Sequence, residues 1–153
     1  MKKHWVLVAN ATHARLLQQQ ERGTPMAVLK SFSHPDARSK IGELGDDRAS
    51  REDLLRNFGG TAYQPQTGAI QKAYQRFARE LAEYVERHAQ LGSFDSFSVF
   101  ASSPFLGQLK AEIGAATGRR LVGTHDLDLT SVGAVELPRR IEYELARGTA
   151  AAG

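Results

Sequence analysis

The chain has no cysteine. Disulfides, thiolate metal sites, iron–sulfur clusters and cysteine nucleophiles are therefore excluded. Long apolar runs are also missing, and none approaches the roughly 20 residues that cross a bilayer. The opening Met1-Lys2-Lys3-His4-Trp5-Val6-Leu7-Val8 is charged and then apolar. Its apolar stretch stops at Asn10, short of the roughly 7–15-residue core and cleavage site of an export signal. The expectation is a cytoplasmic protein with no membrane insertion. Charge of one sign is scarce too: 20 Lys and Arg against 17 Asp and Glu give a net +3. Nucleic-acid binders are recognised by a clustered basic face, and here the charges are mixed. Residues 34–72 carry six basic and six acidic side chains, and most of the positive excess lies in the first 30 residues.

With 153 residues and 41% hydrophobic content, the chain suits one domain with a substantial core. The expected domain covers 1–148, and 149–153 is expected to be a disordered tail. Trp5, Val6, Leu7 and Val8 form a short continuous apolar run that reads as a buried strand. A turn at Asn10-Ala11-Thr12 leads to a return strand at 13–19. Arg22-Gly23-Thr24-Pro25 signals a second turn, and 26–33 alternates as a third strand. The strongest helix signal spans 68–90, where Ile70, Tyr74, Phe77, Leu81, Tyr84, Val85 and His88 form one stripe. Thr67 is placed to cap its start and Gly92 to stop it. A fourth strand follows at 96–102. Ser103 and Pro104 read as N-cap and first position of a helix buried through Leu106, Leu109, Ile113 and Ala116, ended by Gly118. A fifth strand is expected at 119–124 and a last helix at 138–147. The order βββ-(long loop)-αβαβα predicts an α/β domain with a three-layer mixed sheet. Three antiparallel strands are followed by two parallel ones, an arrangement that is ribonuclease H-like by analogy.

No catalytic set is complete in the sequence. A two-metal nuclease needs several convergent carboxylates, but the first strand ends in Asn10, a neutral amide. Asp126 and Asp128, two apart, point the same way if the chain there is extended. Glu80, Glu83 and Glu86 lie off the apolar stripe and read as a solvated face. His4, His13, His34, His88 and His125 lack the paired spacing of a metal site, and His88 reads as a partly buried core histidine. There is no Gly-x-Ser-x-Gly elbow and no Gly-x-x-x-x-Gly-Lys loop. Neither a metal nor a cofactor is expected, and the reading leans away from an enzyme. Ser102 and Ser103, between a strand end and a helix start, could bind an anion or serve as a plain cap.

The most informative stretch is the charged loop 34–66. Loops of that length in compact domains are usually functional or disordered. Its candidate binding residues are His34, Arg38, Asp46, Asp47, Arg48, Arg51, Arg56, Gly59, Gly60 and Gln64. The arginines can pair with the aspartates or clamp phosphates. Gly59-Gly60 allows close backbone approach to a ligand or acts as a hinge.

Several ordered blocks carry a resemblance. They are Trp5-Val6-Leu7-Val8-Ala9-Asn10-Ala11 with Ala14-Arg15, His34-Pro35-Asp36-Ala37-Arg38, Gly42-Glu43-Leu44-Gly45-Asp46-Asp47-Arg48, Arg76-Phe77-Ala78-Arg79-Glu80-Leu81-Ala82, Pro104-Phe105-Leu106-Gly107 and Asp128-Leu129-Thr130. Together they resemble the bacterial "protein required for attachment to host cells" family, from about Trp5 to Leu145. Asn10 departs from the Asp found there in many relatives. The resemblance implies a relation to the middle domain of archaeal–eukaryotic peptide release factors, in which a Gly-Gly-Gln loop precedes a long helix. Gly59-Gly60 stands in a similar place here, but Thr61 follows where Gln would be needed.

Two functions compete on this basis. One is a non-enzymatic binding or adaptor protein acting through the Gly-Gly loop on a protein partner. The other is a ribosome- or RNA-associated factor in translation rescue or regulation. A homodimer is a further expectation, since the third or fifth strand lies at a sheet edge and can pair with a second copy.

Overall fold

A computed structural model describes residues 2–21, 23–33 and 64–152, with side chains described for all of these except 64–67 and 148–152. Its strands are β1 (His4–Ala9), β2 (His13–Gln19), β3 (Ala27–Ser33), β4 (Ser96–Ala101) and β5 (Leu121–Asp126). Its helices are α1 (Gln64–Gln90), α2 (Phe105–Glu112), α3 (Ala115–Arg120) and α4 (Leu137–Ala152). The strands form one sheet in the order β3-β2-β1-β4-β5. β1 pairs antiparallel with β2, and β2 with β3. β4 lies parallel to β1, and β5 parallel to β4. This is the expected mixed α/β sheet.

Alternation along the strands sends side chains to two separate cores. On one face Trp5, Leu7, Leu16, Phe97 and Val99 pack with Phe77, Leu81 and Val85 of α1 and with Phe105 and Leu109 of α2. On the other, Val6, Val8, Leu17 and Phe100 meet Leu137 and Ile141 of α4. The sheet is therefore the middle of three layers.

The centre of α1's buried face is richer in alanine than its apolar stripe suggests. Ala73, Ala78, Ala82 and Ala89 are buried beside Phe77, Leu81 and Val85. Ile70, Tyr74, Tyr84 and His88 lie half-buried at its margins. The helix starts at Gln64 rather than 68, which puts Pro65 in its first turn, where a missing N–H costs nothing. It ends as Gly92 suggests. Gly92 has φ +74, its N–H donates to Ala89 O at 3.0 Å, and the Ser93 N–H donates to His88 O at 2.9 Å. That bond pair is a Schellman cap.

Four further boundaries differ from expectation, the first being β5, which runs Leu121–Asp126 rather than 119–124 because Arg119 and Arg120 end α3. The helix expected to run from Ser103 to Gly118 is two helices, broken at Ile113-Gly114. Ser103 does not cap α2: Pro104 is the N-cap residue, with no side-chain cap bond. α4 continues to Ala152, into the stretch from 149 expected to lack structure.

Both edge strands contain an extra residue. In β3 the partners of Leu16 and Leu17 are Lys30 and Val28, which leaves Leu29 without an opposite number. In β5, Phe97 and Ser98 face Leu121 and Gly123, which skips Val122. These are β-bulges. The skipped side chains are exposed, Leu29 by 44% and Val122 by 66%.

Candidate binding site

The loop residues His34, Arg38, Asp46, Asp47, Arg48, Arg51, Arg56, Gly59 and Gly60 lie outside the described residues, as does the side chain of Gln64. The two elements that the loop joins are described, and they form a cleft. β3 contributes Lys30 and Phe32 to its wall; α1 contributes Arg76, Arg79 and Arg87 together with Glu80, Glu83 and Tyr84. Its volume is about 340 Å³.

Helical spacing makes the α1 wall. Positions 76, 79, 80, 83, 84 and 87 are three or four apart and share one face. Strand alternation makes the other wall, because Lys30 and Phe32 project on the α1 side of the sheet. Phe32 meets Tyr84 edge-on at 5.2 Å between ring centroids. The Lys30 ammonium sits 5.4 Å from the Phe32 ring centre and 5.1 Å from that of Tyr84, within cation–π reach. Tyr84 also packs on His88 at 4.6 Å, and His88 on Trp5 at 5.4 Å. His88 is thus a half-buried packing residue, as read from sequence, with Nδ1 3.2 Å from Ser93 Oγ. Arg79 turns to Glu112 of α2 at 3.4 Å, an exposed pair of small energetic value. Arg87 forms no ion pair among the described residues.

The carboxyl ends of the parallel strands, where α/β sheets commonly bind ligands, are tied up internally. Asn10 donates to Thr130 Oγ1 at 2.9 Å. Its Oδ1 accepts from the N–H groups of Thr12 at 2.9 Å and His13 at 2.8 Å. The amide that makes a poor metal ligand is here a turn-former. Asp126 and Asp128 do not point together. The chain turns sharply after β5, with Leu127 N–H donating to His125 O at 2.9 Å. Asp126 accepts from the N–H and hydroxyl of Ser103 at 3.1 and 2.9 Å, while Asp128 accepts from the N–H and hydroxyl of Thr130. An external anion at Ser102-Ser103 would have to displace the Asp126 carboxylate. Among the described residues no three His, Cys, Asp or Glu side chains converge on a metal position.

Glu86 has a structural role that the sequence hid. Its carboxylate reaches the start of α3 and accepts from the N–H of Thr117 at 2.8 Å, the Thr117 hydroxyl at 2.9 Å and the N–H of Ala116 at 3.2 Å. Partial burial pushes its pKa up, but the hydrogen bonds from Thr117, Gln90 and Ala116 outweigh this and hold it at about 2. A Cβ on Gly114 would fall 2.5 Å from the carboxylate carbon, so a glycine is what lets Glu86 approach. Elsewhere, His4 on β1 bridges Ser96 and Ser98 of β4, and burial lowers its pKa. Burial likewise lowers that of His125, with Glu144 opposing. The His125 ring stacks on Phe100 at 4.3 Å.

The cleft has no signature in the sequence alone. Its residues follow no linear motif, and Glu80 and Glu83 were expected only on a solvated face. The available signal was the row of charges at helical spacing in 76–87, which required β3 beside it to acquire meaning.

No helix among the described residues is long and apolar enough to cross a membrane. No curated protein matches the chain. Among solved structures, it is similar to a "PilM-PilN type IV pilus biogenesis complex" at 16% identity, with 90% of this chain and 41% of that one covered and a TM-score of 0.46. It is also similar to an archaeal translation termination factor, aRF1, at 12% identity, with 96% of this chain and 42% of that one covered and a TM-score of 0.41. The chain spans about two fifths of the length of each. The sequence profile of the family described as "Protein required for attachment to host cells" matches residues 5–141; the chain belongs to that family.

Proposed function

We propose that the protein contributes to attachment by binding, as a non-enzymatic adaptor located in the cytoplasm, with the charged Gly-Gly segment 34–66 as its recognition element. One observation carries this reading: the elements from which that segment leaves and to which it returns, β3 and α1, face each other across a charged cleft. The strand order supports a ribonuclease H-like description of the scaffold. In this reading the polar residues at the strand ends serve that scaffold. The test replaces residues 36–62 by a Gly-Ser linker and compares partner recovery by quantitative pull-down. Partner recovery is expected to fall to background while a cooperative thermal transition shows that the domain still folds. Full recovery with the linker in place would sink the role of the segment.

The four cations at the cleft, Lys30, Arg76, Arg79 and Arg87, favour a second reading, a ribosome- or RNA-associated factor. That reading requires co-sedimentation with ribosomes at low salt and a steep loss as salt rises, from counterion release. Absence of co-sedimentation at low salt would remove it.

A further inference from the structure

We infer that His4 is a proton sensor built into the centre of the sheet: its uncharged ring joins β1 to a buried hydroxyl of β4, and a proton taken up by the ring strands that hydroxyl and loosens the junction. The inference is independent of the adaptor reading. His4 is half-buried at the start of β1 and lies opposite Ser96 in the parallel ladder, with Ser98 opposite Val6. Alternation puts His4, Val6, Ser96 and Ser98 on one face of the sheet. Nδ1 of His4 lies 2.5 Å from Ser96 Oγ, and Nε2 lies 3.0 Å from Ser98 Oγ.

Burial fixes the direction of these two bonds. Ser98 is 0% exposed, and among the described residues its hydroxyl has no hydrogen-bond partner but His4 Nε2. A buried hydroxyl proton without an acceptor is costly, so Ser98 donates to Nε2. The bond at one ring nitrogen sets the tautomer at the other. The ring therefore carries its proton on Nδ1 and donates to Ser96, which is only half-buried and can turn its own hydroxyl proton to solvent. A second proton must go onto Nε2. Both nitrogens are then donors, and the Ser98 proton loses its acceptor. Burial of the ring acts in the same direction and lowers its pKa. No neighbouring carboxylate offsets this. Asp95, before β4, accepts from the Lys3 N–H at 2.8 Å. Glu142 of α4 is met at 3.4 Å by Gln19, the residue opposite His4 on β2. On β5, uncharged Gly123 lies opposite Ser98. The junction is thus intact above the ordinary 6.5 of histidine and weakens as pH falls below it.

The experiment follows the full chain by long-range proton–nitrogen NMR and amide exchange from pH 8 to pH 5. His4 is expected to carry its proton on Nδ1 at pH 8 and to titrate below 6.5. Ser98→Ala removes the stranded donor and should raise the His4 midpoint by about half a pH unit. Ser96→Ala should leave it in place, because Nδ1 donates in both charge states. Intrinsically corrected amide protection in residues 4–6 and 96–98 should fall about twofold or more between pH 7 and pH 5 in the wild type, and less in Ser98→Ala. The inference is overturned if the proton sits on Nε2 at pH 8, if the midpoint is at or above 6.5, if the two alanine variants move it equally, or if protection does not change. Should Ser98→Ala fail to fold, the tautomer, midpoint and protection of the wild type decide alone.

Discussion

The two edges of the sheet use the same backbone device and finish it differently. β3 and β5 each carry one unpaired residue, Leu29 and Val122. A bulge twists an edge and interrupts the ladder that a second sheet would continue. Beyond that the edges diverge. Near β5 the adjoining helix α3 is held by a half-buried arrangement: Glu86 holds its first N–H groups, and Arg120 donates to Phe94 O at 3.1 Å and Ala116 O at 2.9 Å. Near β3 the neighbouring charges on α1 stay on the surface and line a cleft. The contrast separates polar residues bonded within the fold from charged residues that line a surface cleft. It also bears on self-association, since a dimer through either strand must form across a bulge.

On this division the largest stability change comes from the β5 side. Glu86→Ala removes three hydrogen bonds at the start of α3 and should cost about 1–2 kcal/mol, after allowance for its partial exposure. Gly114→Ala should cost a similar amount, because its Cβ pushes the same carboxylate away. The double variant should then be clearly less than additive in urea denaturation. Additive losses would mean that the two residues act independently.

The next effect depends on pH. The Glu86 pKa of about 2 lies below its ordinary 4.5, so its contribution is complete above the ordinary value and is lost as pH falls through about 2. The stability gap between the wild type and Glu86→Gln should therefore be widest above pH 5 and shrink toward pH 2. The lowered pKa values of His4 and His125 act in a different window. Protonation favours the unfolded chain below their ordinary 6.5, in wild type and variant alike, so the difference between the two isolates Glu86.

On the β3 side, Lys30→Glu should shift stability by only about 0.5 kcal/mol, as expected for a surface change, and an equally large loss there as at Glu86 would erase the contrast. The smallest folding effect is expected from deleting Leu29. Its removal leaves Val28 opposite Leu17 and Lys30 opposite Leu16 with no gap. A straightened edge should raise self-association relative to the wild type in analytical ultracentrifugation.

Local signals made much of this fold readable. The apolar run Trp5–Val8, the alternation in β2 to β4 and the glycine at 92 each act within a few residues, and each element appeared where they pointed. Misreadings arose where a distant side chain decided the outcome. The spacing of Leu106, Leu109, Ile113 and Ala116 favours one helix, but a carboxylate from α1 supplies a second helix start at Ala115. Ser103 has the composition of a cap, yet its N–H and hydroxyl go to Asp126 on another strand. The bulges at Leu29 and Val122 are register relations between two strands and have no signature in either alone. The cleft is of the same kind, since it requires Lys30 and Arg87 to meet across the fold.

The ring contact between Phe32 and Tyr84 has an architectural consequence. It pins the last residues of β3 to the C-terminal third of α1, whatever lies between Ser33 and Gln64. The join between strand and helix is therefore made by side-chain packing as well as by chain connectivity, and removing either ring should loosen the edge of the sheet from the helix that covers it.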